Sequence, residues 1–415
     1  MQETKRNDYR VLFLTRQFAP LPKVSEICVK RVREALFERG IRSDVLQFTG
    51  REGVVQTDDI GIVFSAGAGE DRLNTTSKNK LTLFLNKALI AYRWPYYFTY
   101  AMNRKYLKTA RKLCNDVGYD AVIGMALPVD TVLTGIKCND FVFYELDAIS
   151  NNPTNNGFVK SLLKRRVFRI EQLVMDKSAL IIHMDFNKEY YSKESFSKYR
   201  KKSVYASIPN LIDFSIENEG NNKDKEFLLL SYFGTLMRNF RNPEYLIRLL
   251  ESLSKQIPVR CEFYSRGNCE DILAEAELKN PGVIVPMGYV TPEEVVLAQN
   301  SADFLLSIGN SLSGEDRSLP SKILEYIAIG KPIIHISGGA NDSALAYLKK
   351  YGLACIIDPN HDHDDNVASI LSFIKNNAGV RVPFERVRQL FPENTPDYTA
   401  DIIERFLNDR MPLGK

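Results

Sequence analysis

The residues best suited to chemistry lie in the run Ser318-Leu319-Pro320-Ser321-Lys322-Ile323-Leu324-Glu325-Tyr326-Ile327-Ala328-Ile329-Gly330-Lys331-Pro332. Pro320 suits the first turn of a helix, because the N–H that proline lacks would be unpaired there in any case. Ser321 and Lys322 then leave free backbone N–H groups at the positive end of a helix dipole, an arrangement that attracts a phosphate. At about 100° per residue, Ile323, Leu324, Ile327 and Ala328 form one apolar stripe, and Glu325 falls off it, near the face of Lys322. A carboxylate one turn inside a phosphate-binding helix can accept hydrogen bonds from ribose hydroxyls. On these residues alone, an amphipathic helix with a solvated glutamate is the alternative.

Other side chains with chemical potential sit at strand ends. Glu145 and Asp147, in Tyr144-Glu145-Leu146-Asp147, end an apolar run and could meet an acceptor, although carboxylates at such positions also cap helices. His183 ends another run and could line a cleft, whereas His335 lies inside a buried strand and reads as structural. His361-Asp362-His363-Asp364-Asp365 contains metal-ligand types, but they are adjacent rather than at helix spacing and follow Pro359-Asn360. A solvated loop is expected there, and no metal site.

The elements that must position these residues alternate along the chain. Strands are expected at 10–15, 43–48, 121–124, 140–144 and 179–183, with a helix at 25–39 ended by Gly40 and helical stretches between the later strands. Around 201–223 the character changes: Ile208-Pro209-Asn210 is followed by a polar stretch containing Gly220-Asn221-Asn222, which reads as a linker. The pattern then restarts, with strands at 226–233, 259–264, 283–286, 304–308, 332–336 and 354–357 and helices at 243–255 and 292–300. Strands and helices alternating at this length imply α/β domains with parallel sheets covered on both faces. Two Rossmann-like, doubly wound domains facing a central cleft are expected, with ligands at the carboxyl ends of the strands.

Composition is compatible with this and excludes several classes. The 415 residues suit two domains better than one core, and 44% apolar with 26% charged residues is the balance of a folded chain. A formal net charge of +4 gives no field that argues for nucleic acid, and no nucleic-acid motif occurs. The six cysteines form no CxxC pair and no zinc-like spacing, which fits a reducing compartment. The polar N-terminus lacks the apolar core of a signal peptide, and no run is long enough to span a membrane. A cytoplasmic protein is expected.

Four segments together resemble retaining GT-B glycosyltransferases of family 4. The 318–332 run resembles the donor-site signature, in the branch that reads P-S-K-x-x-E-Y-x-A-x-G-K-P. Tyr232-Phe233-Gly234-Thr235-Leu236 resembles the turn under the pyrophosphate that follows the first strand of the donor domain. Pro286-Met287-Gly288-Tyr289-Val290 resembles the loop that holds the nucleotide base. Ile208-Pro209-Asn210-Leu211-Ile212-Asp213 resembles the interdomain linker. The resemblance is strong from about residue 179 to 358 and weaker before it.

The resemblance implies a GT-B fold, with an acceptor-side domain over 1–205, completed by a C-terminal helix at 396–412, and a donor-binding domain over 206–395. It implies sugar transfer from a nucleotide diphosphate sugar, UDP- or GDP-linked, to an acceptor hydroxyl with retention, in cell-surface polysaccharide or glycolipid synthesis. No metal and no bound cofactor are implied. Glu325 would bind the ribose, and Pro320, Ser321 and Lys322 the diphosphate. The first glutamate of the family's Glu-x7-Glu pair falls at Arg317, with Glu315 placed to substitute. The family's arginine and lysine positions on the diphosphate are held by Thr235 and Phe240. Arg238 and Arg241 are therefore the candidate cations, Arg241 the better placed at a helix start. Gly234, Thr235, Gly288, Tyr289 and Val290 would line the donor site, and Glu145, Asp147 and His183 the acceptor side. In place of the family's Gly-Gly pair after the first strand stands Pro22-Lys23-Val24-Ser25.

Between Arg72 and Cys114 ten Lys or Arg occur with no acidic residue, interleaved with aromatics that include Trp94, Tyr96, Tyr97, Phe98 and Tyr100. Such a segment can hold a protein on an anionic membrane face, as would suit a lipid-linked acceptor, or it can be a helix pair with basic outer faces. A GT-B nucleotide-sugar epimerase and a non-catalytic nucleotide-sugar-binding subunit are the alternative functions.

Overall fold

The computed structural model describes residues 8–20, 24–67, 96, 98–125, 129–146, 149–150, 158–214, 226–239, 241–309 and 321–409. The chain divides into two compact units, one of Met1–Asn210 with Glu393–Lys415, the other of Leu211–Pro392.

The first unit is built on β1 (Arg10–Thr15), β2 (Arg42–Gln47), β3 (Gly53–Thr57), β4 (Ile62–Ser65), β5 (Ala121–Met125), β6 (Phe141–Glu145), β7 (Leu180–Met184) and β8 (Ser203–Ala206). Their order in the sheet is β3-β4-β2-β1-β5-β6-β7-β8. All neighbours are parallel except β3 and β4, which are antiparallel with an irregularity between Val54 and Gln56. Every residue of β5, β6 and β7 is buried, as a parallel strand between two helix layers requires. Alternate residues feed opposite layers: Leu12 and Leu14 join one apolar cluster with Phe48, Tyr106 and Phe143, while Val11 and Phe13 join another with Leu36, Ile182 and Ile403.

The second cluster is closed by two helices distant in sequence, Val24–Glu38 and Pro396–Asp409. Arg39, just past the first, reaches Asp397 at 3.0 Å and Asp401 at 2.8 Å on the second.

The second unit carries β9 (Leu228–Leu236), β10 (Val259–Gly267), β11 (Ile284–Pro286), β12 (Phe304–Ile308), β13 (Ile333–Ile336) and β14 (Ala354–Ile357) in the order β11-β10-β9-β12-β13-β14, all parallel. From β9 the chain winds outward to β10 and β11, then returns to β12 on the other side. The strand order therefore reverses between β9 and β12, and the carboxyl ends of those two strands flank the crevice where such sheets bind ligands.

Three differences from the sequence reading have physical causes. The β3–β4 hairpin and β8 were not expected, because β3 is wholly exposed and β8 only partly buried, so neither has an apolar run. Gly234 and Thr235 lie within β9 rather than in a turn after it, because β10 pairs with β9 as far as Leu236. His363 begins a helix, His363–Asn377, instead of lying in a loop: Asp362 caps it by accepting from the N–H groups of Asp364 and Asp365.

Candidate functional site

The crevice between β9 and β12 opens into a cavity lined by Tyr232, Phe233, Gly234, Arg241, Ser307, Ile308, Lys322 and Tyr326. Each wall has a local cause. Gly234 sits at φ +150°, a conformation side chains avoid, and a Cβ there would approach the Tyr232 hydroxyl to 3.4 Å. Past β9 the chain turns back at once. Met237 N–H donates to the Arg241 carbonyl at 3.2 Å and Arg241 N–H to the Met237 carbonyl at 2.8 Å, which fixes Arg241 beside the end of β9.

The helix Ser321–Ile329 supplies the opposite wall. Ile323, Leu324, Tyr326, Ile327, Ala328 and Ile329 are all buried, so the helix is enclosed on nearly every side rather than along one stripe. The face it leaves partly open carries Lys322 and Glu325, three residues apart, whose side chains meet at 2.6 Å. Gly330 ends the helix at φ +78°, where a Cβ would lie 2.0 Å from the Val382 carbonyl, so glycine is required. Lys331, the next residue, is buried with its ammonium on the carbonyls of Asn300 and Ala302, which satisfies the carboxyl end of the helix Pro292–Ser301.

Glu325 has a second partner that sequence reasoning missed. Gln299, fully buried on the helix Pro292–Ser301, donates its amide N–H to the Glu325 carboxylate at 3.3 Å. Nothing in the spacing of Gln299 marks it; only the packing of the two helices does. Ser307 and Ile308 were missed as well, although an apolar run ending at a switch point is a signal that could have found them.

The other donor-side expectations separate. Arg238 points away, its guanidinium on Asp271 and, at 3.1 Å, on the Asn268 carbonyl, and it does not line the cavity. The Thr235 side chain does not line it either. Gly288, Tyr289 and Val290 form the connection from β11 to the helix Pro292–Ser301. Tyr289 is exposed under the Arg266 guanidinium, 5.6 Å from its ring centre. Ser321 begins its helix, while Glu315, Pro320 and Asp147 lie outside the described residues.

On the first unit, Glu145 is fully buried and cannot present an oxygen to an acceptor. It receives the Tyr191 hydroxyl and the Nδ1 side of His183, and His183 Nε2 lies 3.2 Å from the Ser203 hydroxyl. Tyr191 also reaches Glu171 at 2.9 Å. Burial, together with the Glu145 charge, pushes Glu171 up to about 7, and burial holds His183 down to about 4. His335 is buried as well, 2.8 Å from Asp342.

In the basic aromatic segment, 72–95 and residue 97 lie outside the described residues. Beyond them Phe98 and Tyr106 are buried, stacked on Phe48 with ring centres 4.0 and 3.6 Å away, so these aromatics belong to the core. Among the described residues no helix is long and apolar enough to cross a membrane.

No protein-family model matches the chain, and no curated protein matches it. Solved structures do. WaaG, a glycosyltransferase involved in lipopolysaccharide biosynthesis, is similar over 94% of this chain and 95% of its own, with 14% identity and a TM-score of 0.51. The catalytic domain of starch synthase IV from Arabidopsis thaliana, bound to ADP and acarbose, is similar over 97% of this chain and 99% of its own, with 10% identity and a TM-score of 0.57. Anabaena HepE in complex with UDP is similar over 96% of this chain and 98% of its own, with 11% identity and a TM-score of 0.54. The chain has the GT-B glycosyltransferase fold. At these identities the likeness reaches the fold and stops there.

Proposed function

We propose that the protein transfers a sugar from a nucleoside diphosphate sugar to an acceptor hydroxyl, with retention, and that its second unit, 206–395 by the sequence boundaries, binds the donor. The observation that carries this is the convergence of Arg241, Lys322 and Gly234 on one cavity at the β9–β12 switch point. Two cations, a strand end without a side chain and a helix beginning at Ser321 suit a diphosphate, whose oxygens take charge-assisted hydrogen bonds. Glu325, held between Lys322 and Gln299, is available to ribose hydroxyls through its remaining acceptor capacity.

Catalysis on this reading comes from positioning and from stabilising the charge of the departing diphosphate. The first unit takes the acceptor, a glycan or a lipid-linked glycan of a surface polysaccharide or glycolipid. For a lipid-linked acceptor, the protein would work at the cytoplasmic face of a membrane. Calorimetric titration with UDP, GDP and ADP tests the donor site, and incubation with a bound donor and candidate acceptors tests transfer. Absence of binding by every diphosphate would refute the reading; a donor epimerised without acceptor would make the protein an epimerase.

A further inference from the structure

A second, small cavity lies wholly within the first unit, and the donor site does not use it. Its floor is His183, which is 1% exposed and flanked by Tyr191, with ring centres 3.9 Å apart, and by Tyr205 at 5.5 Å. Ser203 and Arg200 complete its polar lining, and Met175 and Phe196 give it an apolar side. Among the described residues no carboxylate lines it. Its lining thus carries one fixed positive charge, that of Arg200, and the Lys188 ammonium sits 5.8 Å from the centre of the Tyr205 ring.

We propose that this cavity is a ligand site for a small molecule bearing an oxyanion, a carboxylate or a phosphate ester, held by Arg200 and the Ser203 hydroxyl. Arg200 has its guanidinium on the Ser192 carbonyl at 3.2 Å and only a loose, 3.9 Å approach to Glu194, so it can turn further donors to an incoming anion.

The groups behind His183 make occupancy depend on protons. Neutral His183 donates Nδ1–H to Glu145, which leaves Nε2 to accept from the Ser203 hydroxyl. An oxyanion that takes the Ser203 hydroxyl as its own donor leaves the Nε2 lone pair facing negative charge. A proton on Nε2 removes that conflict, and the resulting imidazolium is paired from behind by Glu145. The other groups facing the ring are Glu171 from the helix Phe158–Lys177, Tyr191 from the short helix Lys188–Tyr191, and Tyr205 and Ser203 from β8. Tyr191 has one hydroxyl hydrogen and touches both carboxylates, so when it donates to Glu145 its contact with Glu171 favours a proton on Glu171, as burial and the Glu145 charge do. That proton keeps the cluster behind His183 at a single negative charge, which the imidazolium balances.

The chain has four histidines, so ring nitrogen NMR resolves His183 once His183→Gln assigns it. Acetate, inorganic phosphate and, as an uncharged control, acetamide are titrated into the full chain. Saturable movement of the His183 resonances with acetate or phosphate is expected, together with an upward shift of the pH at which the ring titrates. Arg200→Gln and Ser203→Ala should each weaken the response about tenfold or more, and Arg241→Ala should leave it unchanged, which separates this cavity from the diphosphate site. Unmoved resonances across millimolar titrations of both anions overturn the proposal. So does an equal response to acetamide, or a response that survives both Arg200→Gln and Ser203→Ala.

Discussion

The Tyr326 hydroxyl pairs with both backbone groups of one residue: it accepts the Phe233 N–H at 3.0 Å and donates to the Phe233 carbonyl at 3.3 Å. The pairing of β9 with β12 ends one residue earlier, at Tyr232 opposite Leu306, so a side chain from the neighbouring helix takes over where the ladder stops. This ties the wall that carries Lys322 to the strand that carries Gly234. Tyr326→Phe removes both bonds and leaves a buried N–H and C=O unpaired, at a cost of about 1–3 kcal/mol in stability. Urea denaturation should show the loss, and diphosphate binding should weaken several-fold in the folded variant. An unchanged affinity would mean that the two walls are held together by packing alone.

The two arginines singled out by sequence are separated by their partners. Arg238 is engaged by Asp271 and the Asn268 carbonyl, whereas Arg241 lines the cavity. Arg241→Ala should weaken nucleoside diphosphate binding by about tenfold to a hundredfold, the range for a charge-assisted hydrogen bond, and should lower the salt dependence of binding. Arg238→Ala should leave both nearly unchanged. Calorimetry at two salt concentrations decides, and equal losses in the two variants would dissolve the distinction.

What could be read ahead of the structure follows from burial. Strands such as Phe141–Glu145 and Phe304–Ile308 are enclosed on both faces, so each opens on an unbroken apolar run and its position is evident. Gly53–Thr57 is exposed on every residue, and nothing in it distinguishes a strand from a loop. The same contrast holds at the site. Lys322 and Glu325 were readable because one helix sets their spacing, and Arg241 because it stands close behind a glycine. Gln299 meets Glu325 only through the packing of two helices. The burial of Glu145, a strand-end carboxylate that could have met an acceptor or capped a helix, was not readable because a strand end does not say which way its last side chain faces. Local order is written in the chain, whereas contacts between elements depend on rotations and offsets that no single segment carries.

The buried Glu171 gives stability an unusual pH dependence. Its folded value is raised to about 7 from an ordinary 4.5, by burial first and then by Glu145. The folded state thus keeps a proton that the unfolded chain releases. Stability from this group is fully present below the unfolded value and is lost as pH rises through about 7. The loss between acid and mildly alkaline pH is on the order of 2–3 kcal/mol. Glu171→Gln keeps the shape and a donor toward Tyr191 but removes the titration. Urea midpoints measured from pH 5 to pH 8, roughly the span of the two values, should fall in the parent relative to the variant. Parallel curves would show that Glu171 does not titrate in that window.

The helix Tyr100–Val117 buries Met102, Tyr106 and Ala110 and turns Arg104, Lys108, Arg111 and Lys112 outward. With Tyr106 inside and Tyr100 its one exposed aromatic, attraction of this helix to an anionic lipid face would be mainly electrostatic, worth about 1 kcal/mol for each cation near the surface and falling off within a Debye length. Flotation with vesicles containing anionic lipid should therefore carry the protein at low salt, less so at high salt, and not with neutral lipid. Replacing the four outward cations with glutamine should weaken vesicle binding at least tenfold while leaving the core, and thus the urea midpoint, in place. Flotation that persists at high salt or in the substituted protein would assign membrane contact to another part of the chain. Absence of flotation on both lipids would confine this helix to its role as a cover for the sheet.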